Sequence, residues 1–229
     1  MGAQVARADQ AEQTEQAERV RVIVADDHEC VRIGVTGLLR ASPRIDVVAE
    51  ASDTHSLACQ LDAHACDVVI SDVCMPGMDG EYSSLSMLRR LVRTPRAPAV
   101  VVLTMISSAP MLSGLLQHGL QVIVDKRDVP YALLPAIDAA RVREPFQSAC
   151  TRSVLERAGA GCEPCVGVPS AREWEVLQLY VHGMPIGAIA RQLGRSVKTV
   201  STQKRNAMRK FGLATERELI EFATQIGRT

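Results

Sequence analysis

Short apolar runs at 20–25, 45–50, 67–71, 98–103 and 121–124 alternate with segments near 28–41, 54–64, 81–93, 108–118 and 130–142 whose apolar residues recur at helical spacing. This alternation constrains the fold more than any other feature of the chain. Parallel strands cannot be joined by a tight hairpin; each pair needs a crossover long enough to hold a helix. Five successive units therefore predict an α/β domain over 19–142, built on a five-stranded, parallel, doubly wound sheet.

The polar residues that close these runs fall in a definite order. Asp26 and Asp27 follow the first run, Asp72 the third, Thr104 the fourth and Lys126 the fifth. In a doubly wound sheet all five collect at the carboxyl edge of the strands, where open α/β sheets bind ligands. Three carboxylates confined together cannot all stay ionised without a cation, and an all-oxygen set suits a hard divalent ion such as Mg2+. Adjacent Asp26 and Asp27 can both reach that ion, one of them through a water, and Asp72 closes the site from a neighbouring strand. A lysine and a hydroxyl beside a metal suit a phosphoryl group, because phosphoryl transfer asks mainly for positioning and charge neutralisation. Asp72 is then an in-line nucleophile forming an aspartyl phosphate, with Lys126 and Thr104 on its oxygens. One aspartate at a strand end is ordinary; four strand ends bearing these groups form a constellation.

Charge divides the chain. The 229 residues sum to zero net charge, yet from Gly167 onward ten Lys/Arg face five Asp/Glu, leaving the front at −5 and the rear at +5. An acidic module for metal and phosphate chemistry followed by a polyanion-binding one fits this asymmetry. Residues 1–18, rich in Ala, Gln and Glu, lack apolar periodicity and read as a disordered or frayed extension. No apolar stretch approaches the ~20 residues of a membrane helix, and the polar start lacks a signal-peptide core. No membrane partner is expected. Seven scattered cysteines, an odd number, fit a reducing compartment, so the cytoplasm is the expected location.

Residues 143–167 break the rhythm. Gly159, Gly161, Pro164 and Gly167 punctuate them around one helical stretch at 151–158, and they read as a linker. Beyond it, 168–229 reads as helices only. Ser170 and Glu173 form a capping box ahead of Trp174, Leu177 and Val181. A second helix carries Ile186, Ile189, Ala190 and Leu193 and is closed by Gly194. A third runs from Ser196 to Phe211, and a Thr215–Glu218 box opens a fourth with Leu219, Phe222, Ala223 and Ile226 on one side. On the third helix Val197, Val200, Ala207, Met208 and Phe211 form a core-facing stripe, with Lys204 inside the apolar arc and expected to snorkel to its edge. Lys198, Ser201, Thr202, Arg205 and Arg209 form a separate polar arc. Small hydroxyls and long donors there suit base edges, and the cations suit phosphates.

Specific motifs sharpen both halves. Val22-Ile23-Val24-Ala25-Asp26-Asp27-His28, Ser71-Asp72-Val73-Cys74-Met75-Pro76-Gly77-Met78-Asp79-Gly80, Val102-Leu103-Thr104 and Lys126 resemble the receiver domain of two-component response regulators. The resemblance implies a flavodoxin-like fold over 19–142, with Asp72 as phospho-acceptor and Asp26 and Asp27 as acidic residues of a Mg2+ site. It further implies the backbone carbonyl of Cys74 as a metal ligand, Thr104 as the switch hydroxyl and Lys126 as the phosphate-binding lysine. Ile189–Gly194, Ser196–Val200 and Met208–Gly212 are similar to LuxR-type helix-turn-helix domains. Together the halves resemble the NarL/FixJ class, and Leu103-Thr104-Met105 with Thr199–Lys204 are most similar to its Rcs-type capsule and virulence regulators. By the family's pattern Ser201, Thr202 and Arg205 meet base edges of double-stranded DNA, while Lys198, Thr199, Arg209 and Lys210 hold phosphates. Leu219, Phe222, Ala223 and Ile226 resemble its dimerisation helix; as bare sequence they fit a core equally well.

The class implies a sensor histidine kinase or phosphotransfer protein as phosphodonor, a homodimer on DNA, and regulation rather than metabolic enzyme activity. Two positions depart from the family: Ile123 stands where an aromatic switch residue is usual, and Arg127 where a proline often follows the lysine. Two rival readings stay open. One is DNA binding controlled by an accessory regulator that pairs with the receiver independently of phosphorylation. The other is a Mg2+-dependent aspartate-nucleophile phosphatase, which gives 168–226 no purpose. Cys162 and Cys165 form a lone CxxC and read as incidental, since one pair supplies a metal with only two ligands. His28 and His55 read as surface or capping residues, and Met75 and Met78 as loop packing.

Overall fold

The computed structural model describes residues 19–75, 84–159, 170–181 and 183–210, together with 213, 215–217 and 219. The expectations for 1–18, Met78, Cys162, Cys165, Phe211, the Thr215–Glu218 box, Phe222, Ala223 and Ile226 fall outside the described residues, in whole or in part.

Strands β1 (Val20–Ala25), β2 (Ile45–Ala51), β3 (Val68–Asp72), β4 (Ala99–Thr104), β5 (Val122–Asp125) and β6 (Phe146–Gln147) form one sheet in the order β2-β1-β3-β4-β5-β6. Every neighbouring pair is parallel. Helices α1 (Glu29–Arg40), α2 (Thr54–Ala63), α3 (Ser84–Arg93), α4 (Ala109–Gln117) and α5 (Val129–Arg141) make the crossovers.

The sheet buries both faces, and the period of two along each strand sorts its side chains. Val22, Val24, Val68, Ile70, Val101, Leu103, Val122 and Val124 meet Leu39 of α1 and Leu133 and Ile137 of α5. Their neighbours Ile23, Val69, Val102 and Ile123 turn the other way, toward Leu57 of α2, Leu88 of α3 and Leu112 of α4. This is why β3 and β4 read as near-continuous apolar runs rather than alternating ones.

The expected count of five strands is corrected to six. Phe146 and Gln147, within the segment read as a linker, pair with Val122 and Ile123. The backbone amides of Phe146 and Ser148 donate to Gln121 O and Ile123 O, each at 3.0 Å. Without them β5 would present unpaired backbone groups along its outer edge. The next helix, α6 (Ala149–Gly159), packs against β5 and α4.

The C-terminal part holds α7 (Ala171–Val181), α8 (Ile186–Gln192) and α9 (Val197–Lys210). The capping box at its start is formed: Ser170 N donates to Glu173 Oε2 at 2.7 Å and Glu173 N donates to Ser170 Oγ at 3.3 Å. Gly194 takes φ +60° after α8, where a Cβ would be strained, and Arg195 N donates back to Ala190 O at 2.9 Å. Val176, Ile189, Ala190 and Val200 form the core between these three helices. On α9, Val200, Ala207 and Met208 are buried as the stripe predicts, but Val197 is 56% exposed. It occupies the first position of the helix, beyond the packed part of its face. Lys204 does not run out to solvent: its ammonium lies 3.8 Å from the Tyr180 ring centroid and pairs with Glu216.

Candidate functional site

In the strand order β2-β1-β3 the chain first steps one way from β1 and then the other, which opens a crevice at the carboxyl ends of β1 and β3. Asp26 and Asp27 leave β1 there, and Asp72 ends β3. Lys126 follows β5 in a single turn of 3-10 helix and reaches back to them. Its Nζ lies 2.7 Å from Asp26 Oδ2 and 2.9 Å from Asp72 Oδ2. The other oxygen of each carboxylate takes a backbone amide: Cys74 N donates to Asp72 Oδ1 at 3.0 Å, and His28 N donates to Asp26 Oδ1 at 2.9 Å.

Asp26 is wholly buried and Asp72 is 4% exposed. Burial pushes the Asp72 carboxyl up, against the pull of the Lys126 ammonium, with Asp26 adding to the rise. For Lys126, burial works to lower the pKa, but Asp72 and Asp26 outweigh it and hold the ammonium above its ordinary value. Three carboxylates against one ammonium leave two negative charges, the charge a divalent cation would balance. One ligand atom each from Asp26, Asp27, His28 and Asp72 lie within 4.8 Å of one another. Asp27 Oδ1 is shielded from solvent and has no hydrogen bond of acceptable geometry. A buried carboxylate oxygen without a donor is costly, so the residues present fit a cation.

Thr104 ends β4 and is buried. Leu103 is level with Asp72 in the sheet, which puts Thr104 one step further toward the carboxyl edge. Its Oγ1 accepts from Ile106 N at 3.0 Å. Asp125, level with Thr104, does not add a fourth free carboxylate. Its oxygens take Arg127 Nη2 at 2.6 Å and Arg127 Nε at 2.8 Å. The departure at Arg127 thus supplies the counter-charge for Asp125. Met75, in the loop after Asp72, is fully buried.

Two residues near the pocket were not singled out for it in the sequence. His28, which precedes α1, turns its ring toward the acidic pair, with Nδ1 3.0 Å from Asp27 Oδ1 and 3.3 Å from Asp26 Oδ1. Its adjacency to Asp26-Asp27 was the available signal. Arg32 donates from Nη1 to Asp26 O at 2.8 Å, a link between turn and helix that spacing does not announce.

On α9, Lys198, Thr199, Thr202, Arg205 and Arg209 are exposed and Ser201 is half-buried. Ser196 Oγ accepts from Thr199 N at 3.0 Å and caps the helix. Thr202 Oγ1 donates to Lys198 O at 2.9 Å. Lys210 is used differently from the other cations: its Nζ lies 2.7 Å from Glu173 Oε2. Burial alone would push the Glu173 carboxyl up, but Lys210 and Ser170 hold it below the usual carboxylate range. Leu219 is buried within the chain.

Residues 22–138 match the response regulator receiver domain, and residues 169–223 match the bacterial regulatory proteins of the luxR family. The chain belongs to the response regulators of the NarL/FixJ class, which join a receiver to a LuxR-type DNA-binding domain. Among its relatives, the transcriptional regulatory protein RcsB of Escherichia coli (strain K12) is 32% identical over 210 residues, covering 90% of this chain and 95% of that protein. The probable transcriptional regulatory protein NarL of Mycobacterium tuberculosis is 32% identical over 201 residues, 87% of this chain and 91% of that one. RcsB from Salmonella enterica serovar Typhimurium, solved bound to promoter rprA with the phosphomimetic BeF3−, superposes with a TM-score of 0.69 at 30% identity. That match covers 90% of this chain and 98% of the solved one. Among the described residues no helix is long and apolar enough to cross a membrane.

Proposed function

We propose that this chain is a cytoplasmic transcription regulator switched by phosphorylation of Asp72. The observation that carries the reading is the convergence of Asp26, Asp27 and Asp72 on one crevice, with Lys126 bridging two of them. The phosphodonor is a phosphohistidine on a sensor kinase or phosphotransfer protein. A carboxylate oxygen of Asp72 attacks its phosphorus; the P–O bond forms as the P–N bond breaks, and the imidazole leaves with a proton from solvent. Mg2+, held by Asp26, Asp27, Asp72 and the Cys74 carbonyl, would offset the charge of the carboxylates and the incoming phosphoryl oxygens. Lys126 stays on Asp72's side of the pocket and transfers its ion pair to the new phosphate. The Thr104 hydroxyl, which accepts from the Ile106 amide, donates its own hydrogen to a phosphate oxygen, and its reorientation biases the start of α4.

In this reading the receiver unit includes β6 and α6, which are built onto its sheet, and the DNA-binding unit spans 168–229. Ser201, Thr202 and Arg205 face base edges, and Lys198, Thr199 and Arg209 hold phosphates. RcsB has been solved as dimers on DNA, which supports a homodimer on two half-sites here.

Footprinting on genomic fragments, with the wild type and Asp72→Asn, each with and without BeF3−, tests the proposal. Protection of a two-fold site that strengthens with BeF3− only in the wild type is expected. Equal protection in all four arms would overturn phosphorylation control in favour of an accessory protein partner.

A further inference from the structure

Lys126 opens a turn whose contacts do not end at the acidic crevice. That turn is the single 3-10 helix Lys126–Asp128, and it is braced from within. Asp125 Oδ1 accepts from Arg127 N at 2.9 Å, and the same carboxylate holds the Arg127 guanidinium. A proline at 127 would have no N–H for the first of these bonds. Strand end, lysine and Asp128 are thus held as one piece.

Both ends of that piece are fastened to the start of α6. Asp125 N donates to Ser148 Oγ at 3.0 Å, and this hydroxyl lies 3.3 Å from Thr151 Oγ1. All three residues are buried. At the other end Asp128 Oδ2 accepts from Cys150 N at 2.7 Å, and its Oδ1 accepts from Cys150 Sγ at 3.2 Å. Asp128 thereby satisfies a backbone amide in the first turn of α6, where a helix offers its own N–H groups no partner. Burial alone would push the Asp128 carboxyl up, but Ser148 and Cys150, with Arg127 nearby, hold it below the usual carboxylate range. Hydrogen bonds to an ionised acceptor are short and directional, so a shift of the turn is carried to α6 rather than absorbed.

Chemistry at Asp72 supplies such a shift. Lys126 Nζ lies 2.9 Å from Asp72 Oδ2, and a phosphoryl group on Asp72 needs part of that space. The ammonium has to draw back, and the turn behind it is short. α6 also packs against α4, the helix whose start Thr104 biases, and it is the last described helix before the DNA-binding half.

Resting on the reading of Asp72 as phospho-acceptor, we infer that Asp128 is a positioning residue for the output: it passes the displacement of Lys126 to α6, and through α6 to the DNA-binding half.

Full-length wild type and Asp128→Ala are compared on a genomic fragment that the wild type protects, each with and without BeF3−. Fluorine NMR should show BeF3− held by both proteins. The gain in DNA affinity on adding BeF3−, about fivefold or more in the wild type, should fall below about twofold in the variant. In the wild type, BeF3− should also shift the backbone amide resonance of Cys150. That shift decides the question if the variant fails to fold or to hold BeF3−. A gain that stays above about twofold in the variant overturns the inference, even if both affinities drop, since Asp128 would then serve only the fold of α6. An unmoved Cys150 resonance overturns it as well. In both cases the phosphorylation reading survives, because the wild type still gains. If the wild type gains nothing, that reading fails and this inference falls with it.

Discussion

Lys126 balances charge that the sheet has taken out of water. Removing the ammonium while keeping its bulk, as in Lys126→Met, leaves Asp26 and Asp72 buried beside each other without a counter-ion. Breaking a buried pair in this way costs about 3–5 kcal/mol, so a marked fall in melting temperature is expected, partly restored by a divalent cation. Asp72→Asn should act in the opposite direction and melt higher than the wild type, because it removes a carboxylate that burial already disfavours. A second residue governs pH dependence. Burial, with Arg89 and Arg93 nearby, lowers the His118 pKa from its ordinary 6.5 to about 4. The unfolded chain therefore binds the proton more readily between these values, so stability held above pH ~6.5 is lost as pH falls toward 4. His118 is partly exposed, and after allowance for screening the effect is on the order of 1 kcal/mol. Thermal melts from pH 4 to 7 should be flatter for His118→Gln than for the wild type.

Among the elements, α5 contains Pro135 in its interior with its face to solvent. Proline there forfeits the hydrogen bond to Tyr131 O but also restricts the unfolded chain. Pro135→Ala should raise stability by about 1–2 kcal/mol, seen as a higher denaturant midpoint with unchanged slope. The strands and crossovers of the receiver were legible because the period of two and the helical period alternate without interruption from Val20 to Arg141. The acidic crevice was legible for the same reason, since strand ends fix its members. β6 was not: two residues are too few to show a period, and Phe146-Gln147 is defined by the β5 edge it covers. Val197 and Lys204 mark another limit. Helical phase gives a direction, but where a helix outruns its neighbours, or which aromatic ring lies beneath a lysine, depends on elements elsewhere in the chain.

At the scale of the whole molecule, the exposed cations of α9 should dominate nucleic-acid affinity. Arg209→Ala should lower the slope of log affinity against log salt by about 0.9 and weaken all sequences alike. Arg205→Ala should relax discrimination at one base position by about 1–3 kcal/mol. Lys210→Ala should leave the salt slope unchanged and lower the melting temperature, because its ammonium serves Glu173. Fluorescence anisotropy over a salt series separates the three. The strand Phe146–Gln147 and the helix behind it have a further consequence. Because the sheet retains the chain as far as Gly159, only ten residues separate it from Ser170, which caps the next described helix. However that tether runs, its contour caps the gap at about 40 Å. The two halves therefore stay at high effective concentration toward each other, so even a weak mutual affinity is enough to hold one against the other until a competing surface draws it away.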